Sequence, residues 1–354
     1  MKHFFASRMT VSTLVVFGVL VCVRHAQATD ISGTISSTVT IFEDSRLVGD
    51  VTCAVPLVVA GGNPCIAFGT DHIKLRLNGH TMTGPVDPPK GCSLPSDSKV
   101  GVGIEANGRN DLNIEGPGVI QKFQRWGILL VSSTHVTVKK VTANRNCWSG
   151  IQTIGTSNSK FEEDILVNNA AGSNGAPCGG ICLVSSNNNL MRKSKFYGNG
   201  SVDYASGNVD FGIGFEGSSK GNRVAENDIG GNTNGVLFFD TSSDNSVRNN
   251  TIAGNPAAQV LKTFVADNQQ GADIAFRSSF TGVNNIFEDN FCLTYIGPAR
   301  APCPNIRLKE EDDDEARNRL TVPMHGRERS NGAKTVLGVQ LISAMSLLLA
   351  ITHL

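Results

Sequence analysis

Two carboxylates and one guanidinium offer the most chemistry in this chain. Glu216 and Asp240 fall on neighbouring copies of a recurring segment, and Arg277 falls on the copy after them. Paired acids are what glycoside hydrolysis requires, one as acid and the other as base or nucleophile. An arginine can hold a sugar carboxylate through a two-pronged hydrogen bond. Phe239, beside Asp240, offers a ring face to a sugar, and Asp210 lies in the insertion just before the Glu216 segment. The expected catalytic pair is therefore Glu216 and Asp240, with Phe239, Arg277 and Asp210 as substrate contacts. The competing reading is a set of solvated outward charges, the ordinary fate of charged side chains.

These residues are brought together by a repeat. Segments beginning at Ile128, Ile151, Ile181, Ile213, Val236 and Ile274 align without gaps, and the first five each follow a glycine. A unit of about 23 residues, lengthened by inserted loops, explains their spacing. Each run is short, rich in β-branched and aromatic residues, and bounded by Gly, Asn or Ser, which predicts strands. Positions one and three of the run should face inward: Ile128 and Leu130, Ile213 and Phe215, Val236 and Phe238. Position four should face outward: Val131, Ile154, Val184, Glu216, Phe239 and Arg277. That outward column is largely apolar, so an inserted loop is expected to cover it.

A second register starts at Val136, Phe161, Met191, Val224, Val247 and Ile286. Eight residues on stand Asn144, Asn169, Asn199, Asn232 and Asn255, with Thr294 in the last unit. Stacked copies can bond amide to amide, which predicts a buried ladder. Position six of the first run is Ser or Thr throughout: Ser133, Thr156, Ser186, Ser218, Thr241 and Ser279. One unit cannot bury its apolar positions alone, whereas a stack can. The expected class is all-β, a right-handed parallel β-helix solenoid.

The Gly-Ile-x-Leu strands, the Asn column and the early Leu77-Asn-Gly-His-Thr81 resemble the pectate-lyase-like right-handed β-helix superfamily. Within it they are most similar to the generic β-helix-repeat branch, which includes periplasmic copper-processing proteins. The likeness covers residues 66–296. It implies the fold and no particular activity. The Gly-His-Gly motif of related hydrolases, the Asp-Pro-His-Asp of epimerases and the Arg-x-Pro-x-x-Arg of pectate lyases do not occur. No family catalytic residue is carried over.

Other chemistries find less support. The chain has 31 basic and 31 acidic residues, so it lacks the basic surface that nucleic acid needs. No Cys-x-x-Cys pair occurs, and His72, His80 and His135 stand too far apart in the repeat to suggest a copper or zinc set. No metal or other cofactor is expected. Trp126 and Trp148 flank neighbouring strands, as sugar platforms or as packing.

Lys2 and Arg8, the apolar Val11–Val23 and Ala26-Gln27-Ala28 predict a signal peptide over residues 1–28. An N-terminal cap is expected over 29–65 and the β-helix over 66–305. A charged, disordered linker follows over 306–335, then a hydrophobic anchor or anchor signal over 336–354. Eight cysteines remain beyond the signal, and all are expected to pair. Cys53–Cys65 and Cys292–Cys303 are the preferred bridges; Cys92, Cys147, Cys178 and Cys182 leave three connectivities open. Asn199-Gly-Ser and Asn249-Asn-Thr match glycosylation acceptors. The chain is expected to be secreted or at the cell surface, with its tail at a membrane and a polysaccharide or surface glycan as partner. A hydrolase or lyase acting on uronic-acid glycans, or an adhesive protein without a small ligand, are the alternatives.

Overall fold

The computed structural model describes residues 28–55, 63–88, 92, 100–170, 179–200, 210–255, 272–277 and 280–297. The segments expected as signal peptide (to residue 27), linker and C-terminal anchor, with Cys178 and Cys303, lie outside the described residues. So does most of each insertion beside the Glu216 segment.

The described chain is a right-handed parallel β-helix. One sheet runs through strands Trp126–Val131, Ser149–Ile154, Gly179–Val184, Phe211–Glu216, Asn234–Phe238 and Ile274–Phe276. Every pairing along it is parallel, with Ile128, Ile151, Ile181, Ile213, Val236 and Ile274 in register. The second sheet wraps the rest of each coil as two short strands. The coil corners adopt positive φ at residues such as Ser132, His135, Lys140 and Arg145. Gly155, Gly217 and Gly221 take the same conformation at no steric cost. No helix among the described residues is long and apolar enough to cross a membrane.

The inward columns are as the sequence predicts. Ile128, Leu130, Ile213, Phe215, Val236 and Phe238 are fully buried. Phe215 stacks on Phe238 at 4.8 Å and Phe238 on Phe276 at 4.9 Å. Those separations match the spacing of hydrogen-bonded strands, so three rungs share one aromatic column. Each ring stabilises the stack by about 1.5–3 kcal/mol through burial.

The predicted ladder is present with one member changed. Asn146, Asn169, Asn199, Asn232 and Asn255 each donate Nδ2 to the side-chain oxygen one rung on, at 2.9–3.1 Å. The last acceptor is Asp273. Asn146 replaces the expected Asn144 because Val138, not Val136, pairs with Phe161. In the hydroxyl column Ser219 and Ser242 replace Ser218 and Thr241, since an extra residue follows the corners at Gly217 and Asp240. Ser279 lies outside the described residues.

Two further ladders run parallel to the first. One passes through Asn189, Asn222, Asn245 and Asn285, and the other through Asn227, Asn250 and Asn290. On the outer face of the second sheet, ion pairs join several neighbouring rungs. Arg192 pairs with Glu162 at 2.9 Å, Lys139 with Glu163 at 3.1 Å and Arg248 with Glu288 at 3.4 Å. Opposite charges directly across a strand pair favour one register over a slipped one.

The stretch expected as a cap is itself coil. Thr29–Ile35 pairs in parallel with Ser45–Cys53, and Val39–Ile41 with Asn63–Phe68. Cys53 bonds Cys65, as predicted, and Cys92 bonds Cys147. Cys292 is disulfide-bonded. Cys182 corrects the expectation that every cysteine pairs: it is a buried thiol, packed with Phe211 and Leu237 on the outward side of its strand.

Candidate functional site

The outward face of the first sheet presents Glu216, Phe239 and Arg277 on three successive rungs. Val184 pairs with Glu216, and the register of Phe215 with Phe238 and Phe238 with Phe276 carries the column onward to Phe239 and Arg277. Asp240 follows Phe239 at a corner with φ 48 and is exposed. Its Oδ2 accepts a hydrogen bond from the Gly217 N–H at 3.1 Å, which fixes the acid beside the end of the Glu216 strand. The carbonyl of Asp240 also accepts from the Thr281 N–H at 2.8 Å.

Glu216 is held in an unusual setting for a carboxyl. Burial pushes its pKa up to about 7, the nearby Asp240 charge adds to the rise, and hydrogen bonding from the Cys182 thiol and the Arg277 charge oppose it. Its Oε1 is shut from solvent and has no hydrogen-bond partner among the described residues. Two residues before Glu216, Gly214 stands beside Cys182 on the adjoining strand. The Phe211 ring lies over that glycine, and a Cβ there would sit 2.3 Å from Phe211 Cζ.

Phe239 does not play the part the sequence suggested. It is 4% exposed, its ring meets Phe211 edge-on at 6.0 Å, and the Arg277 guanidinium lies 5.2 Å from its centroid. No open ring face remains for a sugar; Phe239 instead props Arg277 beside the acids. Asp210 does not join the cluster either. It is fully buried at the start of the strand that ends at Glu216, about 20 Å away at the rise of an extended chain. The apolar outward column is covered in this region, with Cys182, Phe211, Leu237, Phe239, Ala272 and Ala275 forming a second buried cluster.

Sequence reasoning missed Cys182 as a neighbour of Glu216. It also placed His72 and His135 too far apart. They occupy corners on either side of Asp111, with His72 Nδ1 3.2 Å from Asp111 Oδ2 and His135 Nδ1 3.9 Å from Oδ1. Stacking brings together residues that the loop inserted between them separates in sequence. Among the described residues no group of three or more His, Cys, Asp or Glu could hold a metal ion. Trp126 and Trp148 meet edge to face at 5.3 Å, with Arg125 over both rings.

A family model described as the right handed beta helix region matches residues 126–300. No curated protein matches the chain. Among solved structures, the enzymatically active domain of bacteriophage CBA120 tailspike protein 2 is similar at 14% identity and TM-score 0.47, over 76% of this chain and 41% of that one. The Dettilon tailspike protein gives 14%, 0.48, 76% and 61%. The DFA-IIIase of Arthrobacter chlorophenolicus A6, without its lid, gives 14%, 0.47, 69% and 56%. The chain thus spans less than two thirds of the length of each of these structures.

Proposed function

We propose that this right-handed parallel β-helix is an exported polysaccharide-binding protein whose site is the corner formed by Glu216, Asp240 and Arg277. The observation that carries the reading is their convergence: two acids and a guanidinium on successive rungs of one sheet face, held by Gly217 and by the Phe239 ring. Carboxylates accept sugar hydroxyl hydrogens, and Arg277 favours a uronic acid over a neutral sugar. The chain is exported by its N-terminal signal and held near a membrane by its apolar tail.

A second reading, glycoside hydrolysis at the same corner, is favoured by one observation. Glu216 has the raised pKa of a general acid and stands beside a second carboxyl. The test is a panel of neutral and uronic-acid polysaccharides offered to the full chain and to its Glu216→Gln and Asp240→Asn variants. Binding lost in the variants supports the site, and release of new reducing ends by the parent alone supports hydrolysis. No binding across the panel would leave an adhesive role and sink both readings.

A further inference from the structure

The two Asn-x-Ser/Thr triplets of the chain end up on opposite sides of the coil wall. Asn199 is 1% exposed. Its Nδ2 donates to the Leu166 carbonyl and to Asn232 Oδ1, both at 2.9 Å, while its Oδ1 accepts from the backbone and side chain of Asn169. Every polar position of that amide is engaged inside the stack. Asn249 is the reverse case. It sits at a coil corner with φ 55, exposed, and its side chain makes no hydrogen bond among the described residues. Asn250, between it and the hydroxyl residue, points inward and belongs to a ladder, so Asn249 and the exposed Thr251 emerge on the outside.

A second observation converges on the same corner. Ile286, Phe291 and Leu293 are 43%, 47% and 43% exposed, a concentration of bare apolar side chains within one rung. Ser246 pairs with Ile286 and Thr251 with Phe291, so this strip lies one strand spacing from the rung that carries Asn249. An exposed apolar strip beside an open acceptor asparagine calls for a cover.

We propose that Asn249 is an N-glycosylation site and that its glycan shades the Ile286–Phe291–Leu293 strip. The donor is a lipid-pyrophosphate-linked oligosaccharide of a secretory pathway. A bond forms between Asn249 Nδ2 and the sugar C1, the C1–O bond to pyrophosphate breaks, one amide proton leaves, and the lipid pyrophosphate departs. The inference is independent of what the Glu216 face binds.

The full chain is expressed in a eukaryotic secretory host and treated with an amidase that converts glycosylated Asn to Asp in heavy-oxygen water. The expected result is a mass loss on treatment and a labelled Asp at 249, with Asn199 unlabelled. Asn249→Gln and Thr251→Ala should each abolish the loss. Either variant should also bind more of a hydrophobic dye than the parent, and adding Ile286→Ser with Phe291→Ser should cancel that gain. A secreted, folded chain with no label at 249, or with the label at 199, overturns the site. Dye binding that is indifferent to deglycosylation overturns the shading.

Discussion

The Cys182 thiol and the Glu216 carboxyl meet across neighbouring parallel strands. A thiol is a weak donor, but in a buried site its hydrogen bond favours the charged carboxylate and works against desolvation. Cys182→Ala should therefore raise the Glu216 pKa further above 7, by roughly half to one unit, on the scale of one modest hydrogen bond. Carbon-detected NMR of labelled glutamate, titrated through neutral pH, reads this directly. An unchanged midpoint would show that the thiol does not touch the acid in solution.

Asp240 acts on the same carboxyl in the opposite sense. Its negative charge raises the Glu216 pKa, so Asp240→Asn should lower it while the Asn oxygen keeps the Gly217 hydrogen bond. If the corner cleaves glycans, Glu216 must be protonated to act as the acid. The rate of the parent should then fall as pH rises through about 7, and Glu216→Gln should be inactive at every pH. A rate that keeps climbing above that pH would exclude Glu216 as the acid. Arg277→Ala should weaken binding of uronic-acid glycans by about 10–100-fold, the scale of one charge-assisted hydrogen bond, and leave neutral glycans nearly untouched.

The asparagine ladder gives a stability test. Asn232 accepts from the backbone and Nδ2 of Asn199 and donates to the Phe196 carbonyl and to Asn255. Asn232→Leu strands those partners in the core and should cost about 3 kcal/mol, since unsatisfied buried groups cost about 1–3 kcal/mol each. Urea unfolding of parent and variant measures it. A loss below a few tenths of a kcal/mol would mean that the ladder merely fills space.

The first-sheet columns were legible because each rung opens its segment with Ile or Val, after Gly in the first five, and returns to an inward-facing residue two places on. The second register was less so. Val136 and Val138 are both fully buried, and Asn144 and Asn146 share a residue type, so either alignment satisfies the pattern equally well. Only strand pairing separates them. The two extra ladders had a signal at the same spacing, with Asn189, Asn222 and Asn245 each two residues before a buried strand residue. At the candidate site, position along the strand gave Glu216 and Arg277 their direction. The burial of Phe239 depends on how Phe211 folds back over Gly214, which no local pattern encodes.

The cysteines make a separate prediction. The Cys92–Cys147 bridge closes a loop of 55 residues and Cys53–Cys65 one of 12. Chain entropy puts their removal at about 4 and about 3 kcal/mol respectively. Cys182 should resist alkylation in the folded chain, where it is buried, and react after denaturation without reductant. Peptide mapping distinguishes it. Failure to label Cys182 in denaturant would show that it pairs after all.

Asp164 offers the most direct test of how the ladders hold charge. It is buried in the wall, with Oδ1 accepting from the Val141 N–H at 2.8 Å and its own N–H donating to Ser194. Its Oδ2 has no hydrogen-bond partner among the described residues. Burial raises its pKa well above the usual carboxylate value, and the charges of Glu162 and Glu163 add to that. The folded state therefore holds the proton more tightly than the unfolded chain. Stability from this group is fully present below the unfolded value, near 3.8, and is lost as pH rises through the folded value. Asp164→Asn keeps the oxygen that Val141 needs and replaces the ionisable position with an amide like that of Asn227 or Asn250. At pH 7.5 the variant should be more stable by about 1–3 kcal/mol, the cost of the stranded oxygen that it removes. Near pH 3.5, where the parent carboxyl is neutral, the gain should shrink towards zero. Denaturant unfolding at both pH values decides it. An equal gain at the two, or a loss at neutral pH, would mean that Asp164 reaches water or a partner that neutralises its charge.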